Sequence, residues 1–300
     1  MRLDKVVCDR FGLSRREARE AVRRGQVDLA GQPCIEPGRE IDSDTPLTYS
    51  PDRPRPHIVA RRLQVLYEDR HILVVDKPAG LLTQPTPDRE RDTLLERAGR
   101  YLTRIRGVNR PYVGLVHRID QYTSGVILLV RSPGAPRPFQ ALFRAHQIER
   151  SYVAFVEGVI EPERGTIELP LVRDRGDGRR GTARSTDDGV RAITRFERIE
   201  QYGGVAAQVI CRLETGRTHQ IRIHLASVGH PVVGDPVYRP RTAPPFPVPF
   251  PRQALHARAL GFVHPMTGQE VRVEAPSPDD LTDLIETLRQ RYTGRSTERD

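Results

Sequence analysis

Uninterrupted apolar runs punctuate the chain. Ile72-Leu73-Val74-Val75, Val126-Ile127-Leu128-Leu129-Val130 and the segment Ser151 to Val156 are short, and none leaves a polar position on every second residue. Such runs predict strands covered on both faces, because a half-exposed strand would alternate. In Ser151–Val156, parity sets Tyr152, Ala154 and Val156 on one face and Ser151, Val153 and Phe155 on the other. A different pattern holds at Gln220-Ile221-Arg222-Ile223-His224-Leu225, where polar and apolar residues alternate strictly. That predicts a strand with Gln220, Arg222 and His224 sharing one face.

The first fifty residues read differently. After a short helical element, Ala18, Ala21 and Val22 fall on one arc of a helical wheel, and Arg15, Arg16, Arg19 and Arg23 on another. The spacing predicts a helix from Arg15 to about Arg24, opened by a Ser14/Glu17 capping box. Val27 onward alternates toward an Ala30-Gly31 turn, as a small hairpin would. A Pro-rich stretch, Pro51-Asp52-Arg53-Pro54-Arg55-Pro56, then favours an extended linker, so a small N-terminal α+β unit precedes a large strand-rich one. Pro240 to Pro251 holds six prolines and predicts an extended surface loop.

Charge sharpens this division. The 300 residues carry 48 basic and 39 acidic side chains, a net charge of +9 that favours a polyanionic partner. Residues 89–150 are basic overall, and so are residues 1–24, whereas 25–50 are acidic. The solvated face of an ordinary surface helix could explain the arginines of 15–23, but no acidic residue interrupts their arc. Three widely spaced cysteines, Cys8, Cys34 and Cys211, have no metal-ligand spacing and are expected to be reduced. No stretch approaches the roughly 18 apolar residues of a membrane span, and the start of the chain lacks a signal-peptide pattern, which predicts a cytoplasmic protein without a membrane partner.

Candidate chemistry concentrates at His117-Arg118-Ile119-Asp120-Gln121-Tyr122-Thr123-Ser124-Gly125. It places one carboxylate, Asp120, in a hydroxyl-rich turn at the edge of a buried strand. A lone Asp there is ordinarily a turn former. Arg222, however, on a face too rich in donors to be buried unpaired, requires an anion; Asp120 is the candidate, and an ordinary salt bridge to a surface glutamate is the alternative. His219 and His224 lack a third ligand at metal spacing. The His-Arg-x-Asp string also occurs in kinases, but no Gly-rich phosphate loop or Asp-Phe-Gly triplet accompanies it.

Together, His117–Asp120 with Thr123-Ser124-Gly125, Arg150-Ser151-Tyr152, Gly216-Arg217-Thr218-His219-Gln220-Ile221-Arg222-Ile223-His224 and Gly229-His230-Pro231-Val232-Val233-Gly234-Asp235 resemble the RluA-type RNA pseudouridine synthases, from about Leu63 to Pro276. The first fifty residues resemble the S4-like RNA-binding module. The resemblance implies an α/β (α+β) fold with a mixed, mainly antiparallel sheet flanked by helices. It implies an S4-like domain at 1–50, a linker at 51–62, a catalytic domain at 63–276, and a C-terminal helix and tail at 277–300.

For function, the resemblance implies isomerisation of uridine in RNA, with no cofactor and no metal, and with Asp120 as the catalytic carboxylate, Arg222 as its counter-charge and Tyr152 stacked on the uracil. Arg118 would fill the space left by the extruded nucleotide, and Arg217 with Arg15, Arg16, Arg19 and Arg23 would contact RNA. The expected partner is ribosomal RNA, with transfer RNA compatible, and the expected state is a monomer. A non-catalytic RNA-binding assembly factor on the same fold is the alternative.

Overall fold

The computed structural model describes residues 1–23, 25–29, 32–34, 37–42, 44–51, 62–85, 92–176, 179–183, 188–240 and 242–293. The expected Ala30-Gly31 turn and most of the Pro-rich linker lie outside them.

In the N-terminal unit, α1 (Leu3–Phe11) and α2 (Arg15–Arg23) share an apolar cluster with a three-stranded antiparallel sheet. Its strands are β1 (Val27–Leu29), β2 (Gln32–Cys34) and β3 (Leu47–Tyr49), with β1 central. The predicted capping box is formed: the Ser14 N–H donates to the Glu17 carboxylate at 2.9 Å, and the Glu17 N–H to the Ser14 hydroxyl at 3.2 Å. Ala18, Ala21 and Val22 are buried, while Arg15 and Arg16 face solvent.

The large unit contains β4 (Gln64–Glu68), β5 (Ile72–Lys77), α3 (Leu94–Arg104), β6 (Gly114–Leu115), β7 (Ser124–Val130), α4 (Pro136–Arg144), β8 (Glu149–Glu157) and β9 (Arg164–Glu168). It continues with β10 (Leu171–Val172), β11 (Gly181–Thr182), β12 (Ile193–Tyr202), β13 (Ala206–Leu213), α5 (Gln220–Ser227), β14 (Leu255–Val263), β15 (Glu270–Glu274) and α6 (Asp279–Tyr292). One ten-stranded sheet runs β4-β5-β7-β14-β8-β13-β12-β9, with β6 beside β7 and β15 beside β14. Its pairings are antiparallel except β7 with β14, so the sheet is mixed and mainly antiparallel.

The apolar runs are explained by two cores. Leu73, Val75, Ile127 and Leu129 enter one apolar cluster, and Ile72, Val74, Val126, Leu128 and Val130 the other, on opposite faces of β5 and β7. Burying each such side chain contributes roughly 1.5–3 kcal/mol. α3 and α6 close the first core through Leu94, Ala98, Leu281, Leu284 and Leu288, so α6 belongs to the same packed unit as the sheet. Phe139 of α4 closes the second.

Two expectations are corrected. Residues 220–227 form α5, not a strand. Six alternating residues cannot distinguish a strand from a short helix whose polar side chains are all satisfied indoors, and here they are. Gln220 bonds Thr215, Thr194 and the Ile193 carbonyl, while His224 bonds Thr194 and the Leu169 carbonyl. Nor is the Pro240–Pro251 connection wholly a surface loop, because Phe246 and Val248 are buried in the first core. Prolines exclude regular ladders but do not keep neighbouring apolar side chains in water.

Candidate active site

The Asp120 loop enters β7 through a tight crossing. Gly125 has φ +111°, and a Cβ there would overlap the Ala257 backbone of β14, so only glycine admits this approach. From behind, the loop is tied by buried cations. The Lys77 ammonium, fully buried at the end of β5, donates to the carbonyls of Pro78 (3.0 Å), Leu81 (2.8 Å) and Gln121 (2.8 Å). Burial, and then the charge of Arg252, pull its pKa down to about 7. Arg252 donates to the Tyr122 carbonyl at 3.1 Å and grips Asp280 of α6 at 2.6 and 2.8 Å. Ser124 bonds His256 of β14 at 2.9 Å.

At the front, Arg222 of α5 donates to Asp120 from Nη1 at 3.1 Å, as expected. Its stronger partner is one that sequence reasoning missed. Nε and Nη2 hold Asp235 at 2.6 and 2.8 Å, and that carboxylate also accepts from the amides of Val237 (2.8 Å) and Tyr238 (3.2 Å). Burial would push the Asp235 carboxyl up, but Arg222 and these amides outweigh it and hold it below the usual range. Asp235 orients the guanidinium, and the third nitrogen is left for Asp120. Asp235 was visible in the Gly234-Asp235 motif, but nothing local assigned it a partner.

Asp120 opens onto a cavity of about 430 Å³ that Arg118, Tyr152, Arg217, His219 and Arg222 also line. Its side chain keeps 18% exposure, so it is reachable without being freely solvated. Tyr152, on β8, is buried, and burial raises its phenol pKa, so the hydroxyl stays protonated. His219 bonds the Tyr238 hydroxyl through Nδ1 at 2.7 Å and brings Nε2 to 3.8 Å from Asp120; burial lowers its pKa. His117, pushed down to about 3 by burial, accepts the Leu128 N–H and stacks on Phe143, so it supports the pocket wall. Arg118 and Arg217 are exposed at the rim. Arg15, Arg16, Arg19 and Arg23 line no part of this cavity, and Arg19 is paired with Asp4 at 3.0 Å.

The family of RNA pseudouridylate synthases matches residues 71–227. An uncharacterized RNA pseudouridine synthase of Bacillus subtilis is 38% identical over 96% of this chain and 94% of that protein. The chain belongs to the RNA pseudouridylate synthase family. The ribosomal large subunit pseudouridine synthase D of Zymomonas mobilis is 36% identical to this synthase, over 96% of this chain and 93% of the relative. An S4 domain matches residues 1–45. Human RNA pseudouridylate synthase domain containing 4 shares the fold, with a TM-score of 0.63 and 23% identity over 75% of this chain and 93% of that one. Human RNA pseudouridylate synthase domain containing 1 gives a TM-score of 0.58 at 25% identity, over 80% and 97%. The synthase is therefore an isomerase that exchanges a carbon–nitrogen for a carbon–carbon glycosidic bond.

Proposed function

We propose that this synthase modifies uridines of large-subunit ribosomal RNA, with Asp120 as the catalytic carboxylate. The observation that carries the reading is Asp120 held by a fixed guanidinium at the floor of a nucleotide-sized cavity walled by Tyr152. Asp120 either attacks C1′ of the ribose or removes the C2′ proton. By either route the bond from C1′ to N1 breaks and the electron pair leaves with uracil. The base turns against the Tyr152 ring and C5 bonds to C1′, as the Asp120–C1′ bond breaks on the first route or the C2′ proton is returned on the second; the C5 proton is then lost and N1 takes up a proton. Protonated Tyr152 suits stacking and hydrogen-bond donation better than direct proton abstraction.

Arg222 remains the counter-charge of Asp120, with Asp235 as its support. In this reading Arg118, exposed at the rim, occupies the gap left by the extruded nucleotide, since a guanidinium can stack on bases while binding phosphate. The S4-like unit at 1–50 adds phosphate contacts through Arg15 and Arg16, with Arg19 and Arg23 behind them, and Arg217 extends them at the pocket. Large-subunit ribosomal RNA is favoured because a relative matched over 93% of its own length bears that name. The proposed setting is a cytoplasmic monomer.

The test uses ribosomal RNA from a strain lacking the gene, labelled with tritium at uridine C5. Wild type is expected to release tritium and create pseudouridine at mappable positions, and Asp120→Asn to lose at least about 10³-fold in rate while melting normally. RNA binding by both proteins without isomerisation, on free RNA and on immature ribosomal particles, would sink the catalytic reading in favour of an assembly factor.

A further inference from the structure

Four arginines are buried among the described residues: Arg97, Arg150, Arg222 and Arg252. Three grip a carboxylate in the same way, with Nε on one oxygen and Nη2 on the other. Arg97 holds Asp92 at 2.9 and 2.7 Å, Arg222 holds Asp235, and Arg252 holds Asp280. Arg150 holds none. Its Nη2 reaches the carbonyls of Leu213 (3.3 Å) and Glu214 (3.1 Å), its guanidinium lies 5.7 Å over the Phe143 ring, and its Nε is buried without a hydrogen-bond partner. The nearby carboxylates are engaged elsewhere: Glu149 with Arg272 at 2.9 Å and Glu214 with Arg195 at 2.5 Å.

An unpaired buried guanidinium burdens the fold, so its retention points to an anion that arrives later. Gly216 makes room for it, since a Cβ at that position would overlap Arg150 Nη1. Position narrows the choice of anion. Arg150 lines the Asp120 cavity and also a second cavity of about 460 Å³, which His146, Arg191, Arg195, Arg212 and Thr215 help to form. A free uracil needs only the first cavity. A strand running from one cavity to the other must pass Arg150.

We propose that Arg150 and the second cavity form a subsite for the nucleotide next to the target uridine, with a phosphodiester oxygen completing the Arg150 guanidinium and the adjoining sugar and base lodged beside Arg195 and Arg212. This rests on the reading of the first cavity as the uridine pocket. It assigns the β12–β13 end of the sheet a role in choosing the sequence around the target.

The experiment compares Arg150→Met and Arg150→Lys with the parent. Binding is read on a fluorescein-labelled uridine dodecamer across a salt series in the Asp120→Asn background, and single-turnover rates on a large-subunit ribosomal RNA transcript are read in the active protein. Arg150→Met is expected to melt at or above the parent temperature, because no carboxylate is left behind. Its dissociation constant should rise about tenfold or more, and its salt slope should fall by about one, with Arg150→Lys recovering part of both. The loss should fall on affinity rather than on the rate at saturating RNA.

An unchanged affinity and salt slope with a reduced saturated rate would overturn the subsite and assign Arg150 to the detached base. A melting temperature several degrees lower in Arg150→Met, with affinity and salt slope unchanged, would overturn it in favour of a structural cation. Binding is measured without turnover, so failure of the subsite stays distinct from failure of the uridine reading, which would appear as a wild type that makes no pseudouridine.

Discussion

Beneath the Asp120 loop and on the outer face of α2, the same residue type is put to opposite uses. Arg222 and Arg252 are nearly invisible to solvent and spend their donors on Asp235, Asp280 and loop carbonyls, so their charges are consumed in fixing geometry. Arg15 and Arg16 project into water from a helix whose opposite side is buried alanine and valine. A buried arginine can set the position of a carboxylate, because its own position is over-determined. An exposed one adds long-range attraction with little geometric demand, and suits a flexible polyanion.

The comparison breaks most readily at Asp235. Asp235→Ala strands Arg222 in the interior, and chemical denaturation should show a loss of roughly 3–5 kcal/mol. A loss below 1 kcal/mol would mean that Arg222 finds another anchor and that the buried set is looser than the geometry says. Next comes pH. Burial brings the His256 pKa down to about 4, so the unfolded chain, at its ordinary value near 6.5, takes up the proton first on acidification. Stability should therefore fall between about pH 6.5 and 4, by roughly 1.4 kcal/mol per pH unit from this group. Melting curves of His256→Gln across that range should be flatter by about that slope.

On the exposed side, Arg15→Ala with Arg16→Ala should weaken RNA binding about uniformly across sequences and reduce the salt slope by about two, leaving the melting of the large unit untouched. A change in target choice instead would show that α2 reads shape or sequence. The smallest effect is expected from Ser14→Ala, which opens the capping box and should destabilise the N-terminal unit by about 1 kcal/mol, measured by hydrogen exchange in α2.

How much of this was legible follows from the range of each interaction. The strands β5, β7 and β8 and the cap of α2 depend on neighbours within a few residues, and their patterns survive in a bare sequence. Asp120, Tyr152 and Arg222 were brought together only by the resemblance their motifs carry; the demand of a buried cation pointed Arg222 to Asp120 but not to Asp235, its stronger partner. The helical state of 220–227 was not legible, since it depends on Thr194, Thr215 and Leu169 receiving the polar side chains. Lys77, Arg252 and the partner role of Asp235 were invisible for the same reason. Each acts on residues that the chain brings near only when the sheet is complete.

The parallel contact of β7 with β14 carries a consequence for synthesis. Arg252 and His256 fasten Tyr122 and Ser124 across 130 and 132 positions of chain, and Asp280 lies further on still. Such distant closures form late, after local hairpins have condensed. A nascent polypeptide that has passed Asp120 but not yet reached the 250s carries the proposed catalytic carboxylate without the contacts that fix its loop. The frame behind the Asp120 loop therefore closes only after the residues around 250–280 have been made.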